Sequence, residues 1–122
     1  CDELNFLGIC RKVNDLATRS RINKIKPNEL SGSTFTVTNF GIFGCVFGLP
    51  IINQPNSAIL GVGAIKKKPV VIESNNLESI AIRSICNFSL GIDHRLLDGS
   101  DGGKFLNHFV SVLENLDTGS LL

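Results

Sequence analysis

The stretch Ser57–Ile65, SAILGVGAI, runs nine residues without a charge. Pro55 lies just before it, and the Lys66–Lys68 cluster with Pro69 just after. A run that short, apolar and bounded reads as a strand buried on both faces. Such a strand demands a sheet with other structure packed over it, and that demand fixes most of what the chain can become. The chain has 122 residues, 43% of them hydrophobic and 19% charged, which is enough for one core.

The flanking pattern supplies the rest of that sheet. Residues 3 to 25 read as a helix, with Leu4, Leu7, Val13, Leu16 and Ala17 at three-to-four spacing. Basic residues gather at 19 to 26, the negative end of the helix dipole, and Pro27 and Gly32 end the pattern. Residues 33 to 39, STFTVTN, alternate as a strand does. A glycine-rich apolar loop follows, broken by Pro50 and Pro55. After the apolar run, Lys66–Pro69 read as a turn, VVIE as a short strand, and ESNNLES as a polar, slightly long loop. Residues 80 to 93 read as one long strand, and residues 99 to 116 carry a helical stripe through Phe105, Phe109, Val110, Leu113 and Leu116. The order α-β-loop-β-β-β-α implies an α/β fold, a mixed sheet with helices packed on it.

Several classes of function drop out. A net charge of +1 gives no field for nucleic acid or an anionic membrane surface. No apolar run is long enough for a membrane span. The chain contains no methionine, so a processed chain or a piece of a longer protein is expected. Cys1, Cys10, Cys45 and Cys86 form no C-x-x-C pair and lie at no metal-ligand spacing from a histidine. The expectation is four free, mostly buried thiols in a reducing compartment, with no metal.

The chemistry concentrates in GIDHRLLDGSDGG, residues 91 to 103. His94 follows a long apolar strand, a scaffold able to hold a side chain rigidly, and histidine is the usual general base near neutral pH. Asp93 and Arg95 flank it with opposite charges suited to an ion pair. Asp98, four residues on, can brace a ring, a backbone or an arginine, and Gly99, Gly102 and Gly103 allow tight turns or close approach. Taken alone, a histidine in a polar turn is more often structural or solvated than catalytic. GSDGGKF is not a P-loop, since its glycine spacing is wrong and Phe105 stands where Ser or Thr would bind magnesium. NFS at 87 to 89 matches a glycosylation sequon but falls within an apolar strand.

Three blocks occur in order: STFTVTNFGIFG, PIINQPNSAILGVGAIKKKP and DHRLLDG. Together with the opening helix and KPNELSG they closely resemble the catalytic domain of the dihydrolipoyl acyltransferases, core subunits of the 2-oxoacid dehydrogenase complexes. The resemblance covers nearly the whole chain but only the C-terminal half or so of that domain. It implies that residues 1–122 are a C-terminal portion of one catalytic domain, without the lipoyl and subunit-binding domains. The implied fold is a two-layer sandwich, its mixed sheet carrying helices on one face, of the coenzyme A-dependent acyltransferase type.

The resemblance also implies roles. His94 is the general base that takes the thiol proton from coenzyme A or dihydrolipoamide; a thiol of pKa about 8.5 is mostly protonated at neutral pH. Thr38, in TVTNFG, supplies the hydroxyl for the oxyanion. By its pattern alone it reads better as a strand threonine than as a catalytic one. Asp98 supports the local geometry, as do Asp93 and Arg95. Asn39, Gly63 and Ile65 match positions lining the coenzyme A channel, where a missing side chain at Gly63 lets the pantetheine arm lie against a strand. Lys66–Lys68 suit a solvated turn better than coenzyme A phosphates, and His108 suits a surface or packing position. One departure is Ile92 before D-H-R, where relatives often carry an aromatic or small residue.

The family forms trimers that assemble into larger cores, with the histidine and the hydroxyl of one site coming from adjacent subunits. Its decarboxylase and dihydrolipoyl dehydrogenase partners engage domains absent here. The expected location is the bacterial cytoplasm or the mitochondrial matrix. Three other readings compete. A non-catalytic core protein of the same fold has no need of His94 and Asp98. A serine hydrolase lacks its G-x-S-x-G elbow. An antibiotic acetyltransferase shares H-x-x-x-D-G but not the PIINQP and AILGVGAI blocks. The acyl group stays open, since FGLPIINQPNSAILG leans towards succinyl relatives, whereas VGAIKKKPVVIE and DGSDGG lean towards acetyl or branched-chain ones.

Overall fold

A computed structural model of the chain describes residues 3–74, 77–117 and 119. It divides into two compact units, Cys1–Ser33 with His108–Leu122, and Thr34–Asn107.

In the first unit, α1 spans Phe6–Arg21. It starts later than the apolar spacing suggests because the Asn5 side chain caps it, accepting the Gly8 N–H at 2.9 Å. It stops short of residue 25 because Asn23 takes a left-handed conformation, φ 53°. Arg19 reaches from the last turn of α1 to Asp15 at 2.9 Å and to Glu29 at 2.7 Å. Glu29 belongs to a 3-10 turn at Pro27–Leu30, so this fork ties the turn back to the helix. The hydrogen bonds from Arg19 hold the Glu29 carboxyl well below the usual range, down to about 2.

The second unit holds the sheets. Strands β1 (Thr36–Asn39), β2 (Ala58–Val62) and β5 (Phe88–Ile92) form a mixed sheet in the order β1-β2-β5. β1 runs parallel to β2, and β5 runs antiparallel to it. β2 is the centre, and the buried apolar side chains Ala58, Ile59, Leu60 and Ala64 all come from SAILGVGAI. Helix α2 spans Gly99–Glu114. Its first turns lie on β5, where a Cβ added at Gly102 would stand 3.5 Å from Ile92 and 3.7 Å from Leu90. The Phe105 ring packs on Phe35 with centroids 5.6 Å apart.

β3 (Lys66–Ser74) and β4 (Leu77–Ile85) pair antiparallel in a separate two-stranded ribbon. Three expectations are corrected here. Lys66–Lys68 and Pro69 are not a turn but the first half of β3. Pro69 is tolerated because β3 bonds only one neighbour, and an edge strand needs no second ladder. ESNNLES is not a long loop, because Glu73, Ser74 and Leu77–Ser79 are paired. Asn75 and Asn76 lie outside the described residues. Residues 80 to 93 are two strands, not one.

The chain changes sheets at Cys86 and Asn87. There the Gly63 N–H donates to the Asn87 carbonyl at 2.9 Å, and the Cys86 thiol donates to the Gly63 carbonyl at 3.2 Å. Asn87 Nδ2 donates to the Val46 carbonyl at 3.3 Å, and Ser89 Oγ to the Gly48 carbonyl at 2.6 Å. The glycine-rich loop before β2 is thereby clasped to the start of β5, at the edge of the sheet. The thiols are free but not mostly buried: Cys10 and Cys45 are exposed and Cys86 is half-buried, while Cys1 lies outside the described residues. Cys45 is held by its backbone, whose carbonyl accepts the Ala64 N–H at 2.8 Å, and its thiol is left to solvent.

Candidate functional site

β5 ends at Ile92 and the ladder continues for one more bond, from the Asp93 N–H to the Ser57 carbonyl at 2.8 Å. The chain then turns, the Asp93 carbonyl accepting the N–H groups of Leu96 and Leu97 at 2.9 and 3.0 Å. His94 stands exposed on this turn. No other described residue hydrogen-bonds its ring.

The turn is braced on both sides of the histidine. Arg95 grips Asp93 with Nε at 2.9 Å and Nη2 at 2.6 Å, and its backbone N–H adds a third bond at 3.1 Å. The Asp93 side chain is only 10% exposed. These bonds from Arg95 pull its carboxyl down to about 2. The expected ion pair is therefore present, in bidentate form.

Asp98 does not reach the ring. Its carboxylate accepts the Asp101 N–H at 2.9 Å, and the Asp98 N–H points back to the Asp101 carboxylate at 3.3 Å. This is a reciprocal cap on α2, which begins one residue later. Asp101 was not singled out from the sequence, although D-x-x-D ahead of an apolar stripe carries the signal. An apolar cleft of about 290 Å³ lies beside the turn, walled by Phe35, Leu90, Ile92, Leu97 and Phe105.

Thr38 is half-buried in β1, level with Gly61 of β2 and, across it, Ser89 of β5. From Ser89 to the end of β5 is about 10 Å, and two strand spacings separate β1 from β5, so the backbones of Thr38 and His94 stand roughly 14 Å or more apart. One chain does not bring them together. A base and an oxyanion donor for one reacting carbonyl must each lie about 3 Å from its atoms. Thr36, two residues earlier, is engaged within the chain, accepting Asn56 Nδ2 at 2.8 Å. This contact left no trace in the sequence pattern.

Of the positions expected at a coenzyme A channel, Asn39 is exposed at the end of β1 and Ile65 is 71% exposed after β2. Gly63 is buried, and a Cβ there would collide with the Val46 carbonyl. Within this chain its missing side chain makes room for the loop backbone at Val46. Among the described residues no group of three or more His, Cys, Asp or Glu gathers as a metal site would require.

The family model of the 2-oxoacid dehydrogenases acyltransferase catalytic domain matches residues 1–121. The chain belongs to this family. The acetyltransferase component of the pyruvate dehydrogenase complex of Mycobacterium bovis is 47% identical to it over 113 residues, 92% of this chain and 20% of that protein. A probable dihydrolipoamide acetyltransferase from Listeria monocytogenes superposes with a TM-score of 0.86 at 41% identity, over 96% of this chain and 48% of that one. The Azotobacter vinelandii dihydrolipoamide acetyltransferase superposes at 0.84 with 28% identity, over 93% of this chain and 45% of that one. Its structure accompanies an investigation of a serine, a histidine and an asparagine in its catalytic mechanism, the last two four positions apart. The α/β architecture is thus that of acyltransferase cores. The chain spans about a fifth of the curated relative and about half of each solved chain.

Proposed function

We propose that residues 1–122 form the C-terminal portion of an acyltransferase catalytic domain, moving an acyl group between a dihydrolipoyl arm and coenzyme A in a 2-oxoacid dehydrogenase complex. The observation that carries this reading is the turn at His94: an exposed imidazole held between the Asp93–Arg95 ion pair and the Asp98–Asp101 cap. The spacing of His94 and Asp98 equals that of the histidine and asparagine in the Azotobacter protein.

Bound coenzyme A or dihydrolipoamide supplies the thiol nucleophile. His94 takes the thiol proton onto a ring nitrogen and returns it to the departing thiolate. The Thr38 hydroxyl donates to the thioester oxygen as that oxygen gains negative charge. Arg95, Asp93 and Asp98 hold the turn and move no proton. Asn39 and Ile65, both exposed, fit the wall of a coenzyme A channel, and Gly63 fits behind them as a packing residue. Because His94 and Thr38 lie too far apart in one chain, each site takes its histidine from one subunit and its hydroxyl from the next, as in a trimer.

The test uses the full-length parent with dihydrolipoamide and acetyl-, succinyl- or isobutyryl-coenzyme A. His94→Ala abolishes transfer without changing assembly, and Thr38→Ala slows it roughly 100-fold. Co-assembling the two variants regains activity, since some sites then pair an intact histidine with an intact threonine. Near-normal turnover in His94→Ala refutes the base, and failure of the mixture to recover refutes the shared site.

A further inference from the structure

β1 is four residues long and pairs with β2 alone. The ladder between them sets how far β1 slides along its neighbour. It sets less firmly how a short strand, bonded on one side, rolls about its own axis, and roll is what swings a side chain. Thr36 and Thr38 alternate with Val37, so their side chains share a face and stand about 7 Å apart along the strand. Both are half-buried, whereas Val37 on the other face is 61% exposed.

Asn56 reaches the threonine face from outside the ladder. It is 4% exposed, and its Nδ2 donates to Thr36 Oγ1 at 2.8 Å. The backbone that carries it is held on both sides. The Asn56 N–H donates to the Asn53 carbonyl at 3.0 Å, and the carbonyl of the next residue, Ser57, accepts the Asp93 N–H at 2.8 Å. A short side chain on an anchored backbone is a fixed point that the strand must meet. Beyond the far end of β1, the Phe40 N–H donates to the Val62 carbonyl at 3.2 Å. Thr38 lies between these two fastenings, and the first acts directly on the face that carries its hydroxyl.

We propose that Asn56 is a positioning residue for Thr38. By gripping Thr36 it sets the roll of β1, and with it the aim of the Thr38 hydroxyl. The inference rests on the acyl-transfer reading, in which that hydroxyl meets the oxygen that gains negative charge. Asn56 itself acts only through the strand. An oxyanion donor works in the transition state rather than on the bound substrate, so a misaimed hydroxyl lowers kcat and leaves KM unchanged.

The test is steady-state kinetics of the full-length parent with dihydrolipoamide and whichever of acetyl-, succinyl- and isobutyryl-coenzyme A turns over fastest. Sedimentation and circular dichroism confirm that each variant assembles and keeps its fold. Thr36→Val keeps the shape and branching of the side chain and removes the acceptor, and Asn56→Ala removes the donor. Each lowers kcat about tenfold at constant KM, part of the roughly 100-fold that a misplacement near 1 Å costs. Thr36→Ser keeps the acceptor and recovers most of the rate. The deciding measurement repeats both substitutions in a Thr38→Ala background. There they cost less than about twofold, because no hydroxyl is left to aim. An equal loss in both backgrounds means a general structural role and overturns the inference. If Asn56→Ala does not assemble, Thr36→Val carries the same test alone. Thr38→Ala at full speed refutes the oxyanion role, and the inference falls with it. Thr38→Ala slowed while Thr36→Val runs at full speed overturns the inference and leaves that role standing.

Discussion

Replacing Asp98 by alanine removes the acceptor of the Asp101 N–H and leaves the start of α2 with only the longer return bond from Asp101. Loss of a helix cap costs about 1 kcal/mol, with a range of roughly 0.5–2. The upper part of that range applies here. Gly102 and Gly103 fall in the first turns, and a glycine is about 1 kcal/mol less favourable than alanine within a helix. This end has little propensity of its own to stay wound. Asp98→Ala should therefore lower stability by about 1.5 kcal/mol in urea titration of the chain. It should also slow acyl transfer in the parent by about 10- to 100-fold, because a displacement near 1 Å of a positioned group costs about that much. Asp98→Asn should keep stability within about 0.5 kcal/mol and transfer within about threefold, since asparagine caps as well as aspartate. The Azotobacter protein has an asparagine at this spacing from its histidine. If Asp98→Asn is as damaging as Asp98→Ala, the carboxylate acts by its charge and the capping account fails. If Asp98→Ala is destabilised but turns over normally, the turn does not depend on the cap.

Gly61→Ala should destabilise the chain by about 1–3 kcal/mol in thermal or urea unfolding, because its Cβ would stand 2.5 Å from Ser89 Oγ and 2.7 Å from the Phe40 ring. Gly102→Ala should do the opposite and stabilise by up to about 1 kcal/mol in the same measurement, since its Cβ meets Ile92 and Leu90 at ordinary contact distance. Acid should expose the Asp93–Arg95 pair. Its folded-state carboxyl lies at about 2, below the ordinary 3.8, so its contribution is present above pH about 4 and is lost as pH falls through 2. Asp93→Asn should flatten the melting temperature against pH in that window, and an unchanged slope would mean that the pair does not stabilise the fold.

The core was legible where pattern and burial coincide. SAILGVGAI reads as a strand buried on both faces, and Ala58, Ile59 and Leu60 are buried as that requires. The ribbon was not legible at its start. Lys66–Lys68 and Pro69 have turn chemistry, and only the absence of a second neighbour lets them be strand. The break at Cys86–Asn87 interrupts no apolar pattern. It is made by bonds to Gly63 and Val46, residues distant in sequence, and local periodicity carries no sign of them. At the candidate site, Asp93 and Arg95 could be paired by adjacency, whereas the Thr36–Asn56 bond spans 20 residues and left no local mark. Thr38 and His94 each fall on the expected element, but their separation emerges only once the register of three strands is known.

The clasp on the glycine-rich loop bears on the order in which the chain folds. Its bonds from Asn87 to Val46 and from Ser89 to Gly48 each span 41 residues. The β3–β4 hairpin lies inside that span and pairs through near neighbours in sequence. Loop-closure entropy favours forming the hairpin first and the long-range clasp after it. That ordering predicts that ribbon pairing precedes the docking of β5 on β2 in a chain emerging from synthesis. The turn that carries His94 follows β5, so it is among the last parts to take shape. On that ordering the proposed base is positioned only after the sheet that supports it has closed.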